Sequence, residues 1–330
     1  MRHHRSILLT LLATLLAALV VAGCGGDDEE GGGSAQQPAE GGGEEQSRVI
    51  QPIQGAEQTS ITVGSKNFEE QYILGEIYAQ SLEAAGFDVT KELDIGSEVV
   101  AYEALTGGQI DAYPEYTGTA LTSFFDVELD TVPRDAQQAY QQAREAYAED
   151  GITALPPTPF ENSYRIGMLN ETAQRLGNPT KISDLQGEAG ELSISGFPEC
   201  RQRTDCLLGV QQEYGLDFAD FVASESPYEV LDTKEAELAF VFTTDGNLAT
   251  GQYAVLDDDR NLFPPYNVTL SVRDEIAQAM GPEGAQVIER VQEQLTEDVM
   301  QELNSRVAVD KQEPERVAAD YLQQFGFVEG

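Results

Sequence analysis

The chain has 330 residues, with 19 Lys and Arg against 58 Asp and Glu, a formal net charge of −39. A phosphate backbone is bound by neutralising it with basic side chains, so this excess of acid excludes nucleic acid as a partner, and it equally excludes docking to anionic lipid through a basic patch. Hydrophobic residues make up 41%, enough for a packed core, and Trp is absent, so aromatic recognition has only the 13 Tyr and 13 Phe to draw on.

The first element in chain order is an export signal. Residues 1–5 are basic, and 7–22 form an apolar run broken only by Thr10 and Thr14. That run is short for a membrane-spanning helix, which needs about 20 residues. A basic start, a short apolar middle and small residues at the end predict a signal peptide over 1–23. Val21-Ala22-Gly23-Cys24 resembles the bacterial lipobox, in which the Cys is lipidated and becomes the new N-terminus; a plain secretory signal with an unmodified Cys is the other reading. Lipidation of Cys24 would hold an extracytoplasmic protein at the cell membrane. Histidine occurs only at His3 and His4. The mature chain would therefore contain none, which excludes Ser–His–Asp and Cys–His sites and zinc sites built on imidazole. No metal and no cofactor is expected.

Residues 24–59 are rich in Gly, Gln, Asp and Glu, with few apolar side chains. Such a stretch buries too little surface to offset its chain entropy, which predicts a flexible acidic tether. The folded part follows, with a strand over 61–64 and a helix over 69–85 that places Ile73, Ile77, Leu82 and Ala85 near one face, stopped at Gly86. A strand over 87–93, a helix over 97–105 with Ser97 as candidate cap, and a strand over 109–113 come next. A polar-faced helix over 134–149 closes this half. A second alternating stretch has strands over 163–169, 192–195 and 238–243 and a helix over 207–214. The end returns to a strand over 268–272 and then to helices as far as residue 325. Alternation of this kind predicts an α/β fold. The expected organisation is one lobe from 60–160 and 256–330, a second from 161–255, and a cleft between them. No phosphate-binding glycine loop is present.

Cys200 and Cys206 are close in sequence in an exported chain, which favours a disulfide over a metal site, since two thiols without histidine do not fill a zinc site. Three turn-rich aromatic stretches stand outside helical periodicity: 113–119, 160–164 and 263–267. Rings converging from such segments can form a cage for a quaternary ammonium, because the negative face of each ring attracts a cation that donates no hydrogen bond. Each stretch alone reads more readily as an ordinary packed loop. Lys66 follows the first strand beside a helix start, where open α/β sheets bind anionic groups. Arg201 and Arg203 lie inside the Cys200–Cys206 loop, which would hold them in place, although for either alone a surface salt bridge with the abundant carboxylates is the better reading.

Val63-Gly64-Ser65-Lys66-Asn67-Phe68-Glu69-Glu70-Gln71-Tyr72, within 61–74, resembles the opening of the substrate-binding proteins of osmoprotectant ABC importers, the ProX/OpuAC-like glycine betaine, carnitine and choline group. Tyr113-Pro114-Glu115-Tyr116-Thr117-Gly118-Thr119-Ala120, Phe242-Thr243-Thr244-Asp245-Gly246 and the stretch 256–266 ending in Pro264-Pro265-Tyr266 match the same group in order and spacing. The resemblance runs from about residue 60 to the C-terminus. It implies a two-lobed periplasmic-binding-protein fold of type II character, no enzymatic activity, and a monomer that hands a small ligand to an ABC permease. It implies a cage of Tyr116, Tyr164, Phe242 and Tyr266 with Asn162 near the ammonium, and Lys66, Thr119 and Arg203 on the ligand carboxylate. Phe242 stands where a Tyr is usual, and the cysteine pair is not part of the pattern. A glycine betaine-like zwitterion is expected over choline, which has no carboxylate. Carnitine or choline as ligand, a secreted carboxylate-dependent hydrolase and a structural surface lipoprotein are the competing functions.

Overall fold

The computed structural model describes residues 48–329. The expected signal peptide, Cys24 and the tether as far as residue 47 lie outside the described residues. Residues 48–59, expected to end the tether, join the fold instead. Ile50 is buried and its N–H donates to the Phe327 carbonyl, Ile53 N–H donates to the Ala85 carbonyl, and a short 3-10 turn at Ala56–Gln58 puts Ala56 in the core. Widely spaced apolar residues in a polar stretch give no periodic signal, yet each finds a ready surface here.

Ten strands are present among the described residues, in chain order: β1 (Ser60–Gly64), β2 (Asp88–Glu92), β3 (Ala112–Tyr116), β4 (Ile152–Ala154), β5 (Tyr164–Leu169), β6 (Ser193–Gly196), β7 (Asp220–Ala223), β8 (Leu238–Phe242), β9 (Tyr253–Leu256) and β10 (Val268–Arg273). The α-helices are α1 (Glu69–Ala84), α2 (Glu98–Thr106), α3 (Thr117–Ser123), α4 (Ala136–Glu149), α5 (Asn170–Arg175), α6 (Leu207–Gly209, continued by a π-turn at Val210–Tyr214), α7 (Pro227–Thr233), α8 (Asp274–Gln292), α9 (Glu297–Ala308) and α10 (Pro314–Gln324). Two five-stranded mixed sheets result, ordered β2-β1-β3-β10-β4 and β7-β6-β8-β5-β9. In each, three parallel strands meet an antiparallel pair.

Helix α1 forms the back of the first sheet. Its Ile73, Leu74, Ile77, Tyr78 and Leu82 are fully buried, while Glu69 and Glu70 in the first turn suit the positive end of the helix dipole. Ser97 takes the N-cap position of α2, but its side chain makes no capping bond. The stretch 113–119, read from sequence as loop-like, is strand β3 running straight into helix α3. Pro114 is tolerated there because β1 pairs with β3 only at Ala112, so no ladder on that side needs its missing N–H.

The chain passes between the sheets at 155–163 and 257–267, and these crossings run side by side. Asn162 N–H donates to the Tyr266 carbonyl at 3.1 Å, Thr158 N–H to Val268 at 2.8 Å, and Asn267 Nδ2 reaches the carbonyls of Thr158 and Phe160. Helix α9 makes a third link: Gln301 and Asn304 donate to the carbonyls of Thr243 and Thr244 beyond β8. A Cβ on Gly246 would lie 2.3 Å from the Ser305 nitrogen, so this approach requires glycine.

Candidate functional site

The site is built where the carboxyl ends of β1, β3, β6 and β8 meet the two crossings. After β1 the chain turns through Ser65 and Lys66. Lys66 N–H donates to Gln71 Oε1 at 3.2 Å, and Ser65 Oγ accepts from Asp94 N–H at 3.0 Å, so the turn is fixed by its own polar contacts. Lys66 is 4% exposed and its ammonium pairs with Glu115. It also lies 4.4 Å from the centre of the Tyr116 ring and 5.8 Å from that of Phe68. Glu115 is fully buried on β3 and also accepts from Tyr113 OH at 3.0 Å and Tyr116 N–H at 2.7 Å. Burial pushes its carboxyl up, against the pull of Lys66 and the Tyr116 N–H.

Across the cleft, Arg203 stands in the loop closed by a Cys200–Cys206 disulfide whose Cα atoms are 5.2 Å apart. Its Nε and one terminal nitrogen fork onto Asp205 at 2.7 and 2.6 Å, and the other terminal nitrogen reaches Glu98 of α2 at 3.0 Å. The Glu98 contact joins the second lobe to the first. Asp205 also accepts from Tyr266 OH at 2.8 Å. Burial opposes the guanidinium charge, but the carboxylate of Asp205 more than restores it.

The rings fall into two groups. Tyr164 opens β5 directly opposite Phe242 at the end of β8, and their centres are 4.7 Å apart. Phe263, at 5.4 Å, and Tyr266, at 5.6 Å, complete a cluster around Tyr164. Tyr266 is seated against Gly118, where a Cβ would meet its ring at 2.8 Å. Tyr116 instead stacks on Phe68 at 6.3 Å, under Lys66. Burial pushes the hydroxyls of Tyr116, Tyr164 and Tyr266 up, so all three remain donors at neutral pH.

Glu70 ties the groups together from the first turn of α1. One of its oxygens accepts from Tyr116 OH at 2.7 Å and Asn162 Nδ2 at 2.8 Å, and the other from Asn304 Nδ2 at 2.8 Å. Around it Gln71 Nε2, Asn162 Oδ1, Asn304 Oδ1 and Thr244 Oγ1 are buried without partners among the described residues. A junction holding unspent donors and acceptors is suited to a polar guest.

Of the expected residues, Tyr164, Phe242 and Tyr266 come together, Asn162 lies on the crossing beside Tyr266, and Tyr116 shares an oxygen of Glu70 with Asn162. Thr119 is buried in the first turn of α3, and its hydroxyl bonds to none of the described residues. Lys66 and Arg203 each already hold a carboxylate of the chain. Sequence reasoning missed those carboxylates, Glu98, Glu115 and Asp205, as well as the carboxylate of Glu70 and the place of the Phe263 ring beside Tyr164. Their signal was adjacency: Glu70 and Glu115 lie inside the quoted motifs, Asp205 inside the cysteine loop, and Phe263 directly before Pro264-Pro265.

The family model described as the substrate binding domain of ABC-type glycine betaine transport system matches residues 59–324. A protein of Pseudomonas aeruginosa named glycine-betaine-binding protein is 34% identical over 282 residues, covering 82% of this chain and 89% of that protein. The glycine betaine-binding protein YehZ of Escherichia coli is 30% identical over 289 residues, covering 84% and 93%. The solved structure of apo YehZ from the same organism superposes with a TM-score of 0.64 at 28% identity, covering 81% of this chain and 99% of that one.

Proposed function

Because the chain belongs to the family of substrate-binding domains of ABC-type glycine betaine transport systems, we propose that it captures a small quaternary-ammonium zwitterion of the glycine betaine type outside the cytoplasm. The observation that carries this reading is the ring cluster of Tyr164, Phe242, Phe263 and Tyr266 with Arg203 and Asp205 at its side. The relatives' naming for glycine betaine supports the ligand class. In the proposed complex the rings take the methylated nitrogen, with Tyr116 and Asn162 near it, while Lys66, Thr119 and Arg203 take the carboxylate.

Desolvated cation–π contacts are worth about 0.5–2 kcal/mol each, and charge-assisted hydrogen bonds about 1.5–3 kcal/mol. Micromolar binding needs about 8 kcal/mol net of association costs, so cage and clamp are both required. To engage the clamp, a ligand carboxylate must share or displace Asp205 and Glu98 on Arg203 and Glu115 on Lys66. That competition favours a second reading, a cationic ligand such as choline that leaves those pairs intact. Ligand bridging both lobes selects their closed arrangement, which the permease of the importer then unloads. Lipid on Cys24 would keep the receptor beside that permease, and a Cys24→Ser chain should then leave the membrane fraction. The deciding experiment is calorimetry with glycine betaine, carnitine, proline betaine and choline. Betaine at micromolar affinity and choline at least tenfold weaker is the expected result, while equal affinities turn the assignment to the cation. Absence of any binding overturns both readings.

A further inference from the structure

We propose that the Cys200–Cys206 disulfide is a positioning device for ligand binding: it holds the Arg203–Asp205 arm in place, so that opening it weakens capture of a carboxylate-bearing ligand and spares one without a carboxylate. This rests on the zwitterion reading above. The two lobes fix their cations by different means. Lys66 is followed within three residues by the 16-residue helix α1, and side-chain bonds from Gln71 and Ser65 hold its turn. Arg203 has slighter support: Arg201 donates to the Phe221 carbonyl at 3.1 Å and Asp205 accepts from Tyr266 OH at 2.8 Å, but no long helix fixes the turn. The helix after it, α6, is three residues long before it loosens into a π-turn. The backbone bonds inside the loop, Arg203 N–H to Cys200 and Cys206 N–H to Arg203, are both 3.3 Å, beyond the usual N–H···O range.

The covalent bond supplies the missing constraint. Both cysteines are fully buried at the foot of the loop, with Cys200 under Gly196 at the end of β6, where a Cβ would sit 3.1 Å from its sulfur. Above this anchor the chain folds back so closely that a Cβ on Gly209 would lie 1.9 Å from the Thr204 carbonyl oxygen. The arm between the cysteines therefore projects Arg203 and Asp205 from a short closed ring toward Glu98 and Tyr266. A closed ring has few conformations to lose on binding, whereas an open loop must be ordered again each time. An exported protein meets an oxidising environment, where such a bond persists.

The test compares the oxidised protein with two open forms: protein reduced under native conditions, its free thiols counted by mass spectrometry, and the Cys200→Ser/Cys206→Ser variant. Each is titrated with glycine betaine and with choline. The expected result is a loss of about tenfold for glycine betaine and less than twofold for choline in both open forms. Equal weakening of the two ligands, or no weakening of betaine, overturns the proposal. Unfolding of both open forms also overturns it, because the bond would then support the fold and not the arm. Failure of the oxidised protein to bind either ligand would show that the ligand reading itself is wrong, a result separable from unchanged betaine affinity on opening the bond.

Discussion

The two sheets place comparable groups at comparable points. β1 and β6 occupy the same position in their strand orders, and each leads into a cation, Lys66 or Arg203. β3 and β8 likewise correspond; each ends in a ring, Tyr116 or Phe242, whose backbone N–H donates to an acid, Glu115 or Asp245. The first lobe closes these groups on themselves: Lys66 pairs with Glu115 and covers Tyr116. The second spreads them out. Arg203 reaches across to Glu98, Phe242 packs on Tyr164, and Asp245 holds only neutral donors, Phe242 N–H at 2.9 Å and Tyr228 OH at 2.8 Å. A preset platform facing an arm that depends on the opposite lobe is an arrangement in which lobe closure and ligand contact are coupled.

The sharpest way to break the comparison is to leave Glu115 with neutral donors alone, as Asp245 is, by removing Lys66. Lys66→Met leaves Glu115 buried with only its neutral donors, Tyr113 OH and the Tyr116 N–H, and breaking a buried ion pair from one side costs about 3–5 kcal/mol. The effect should depend on pH. Without Lys66 the Glu115 carboxyl lies still further above its unfolded value, so the folded state holds a proton that the unfolded state has released. Stability of the variant should therefore fall as pH rises from about 4.5. Urea unfolding should show the full loss at pH 8 and a smaller one at pH 5, and Lys66→Met/Glu115→Gln should recover most of it.

Asp245 supplies the converse test in the second lobe. Burial pushes its carboxyl up to about 7, against the Phe242 N–H and the Tyr228 hydroxyl. Since the folded value lies above the unfolded one, this group makes stability fall as pH rises from about 4 to about 7, with the full cost present above that window. Asp245 keeps partial contact with water, which reduces the contribution to on the order of 2 kcal/mol. Both bonds to it fall on a single oxygen, so the amide oxygen of an asparagine side chain at this position can accept them unchanged. Asp245→Asn should thus gain stability at pH 8 and little at pH 4. Parallel pH profiles of the two proteins would remove the assignment.

These acids mark the limit of what could be read from the chain. Strand and helix positions were legible where apolar residues recur with a clear period, as in β1, α1, β5 and β8. The motif resemblance singled out Tyr116, Tyr164, Phe242, Tyr266, Asn162, Lys66, Thr119 and Arg203, of which the fold gathers the rings of Tyr164, Phe242 and Tyr266 into one cluster. What stayed hidden was which carboxylates are buried, because one acid among 58 carries no contrast. Glu70, Glu98, Glu115 and Asp205 acquire their roles only when distant segments meet: Glu70 joins β3, the first crossing and α9, and Glu98 meets a residue 105 positions away. The loop-like reading of 113–119 failed for a related reason. Pro and Gly are turn signals locally, but here Pro114 uses a vacant strand side and Gly118 makes room for Tyr266.

The smallest expected effects concern the hydroxyl that Tyr116 has and Phe242 lacks. In Tyr116 it is buried and donates to Glu70, so Tyr116→Phe takes one of three donors from a buried carboxylate. A bond to a charged group is worth about 1.5–3 kcal/mol, and the donors left on Glu70 should hold the loss near the lower end. Both stability and betaine affinity should fall, since the bond orients the ring. Phe242 is partly exposed, so the hydroxyl of Phe242→Tyr has access to water, and the ring keeps its contact with Tyr164. That change should alter stability by less than about 0.5 kcal/mol and betaine affinity by no more than about threefold. If the two substitutions prove equal in effect, the ring groups are equivalent after all, and the contrast between a self-contained first lobe and a dependent second one does not extend to the cage.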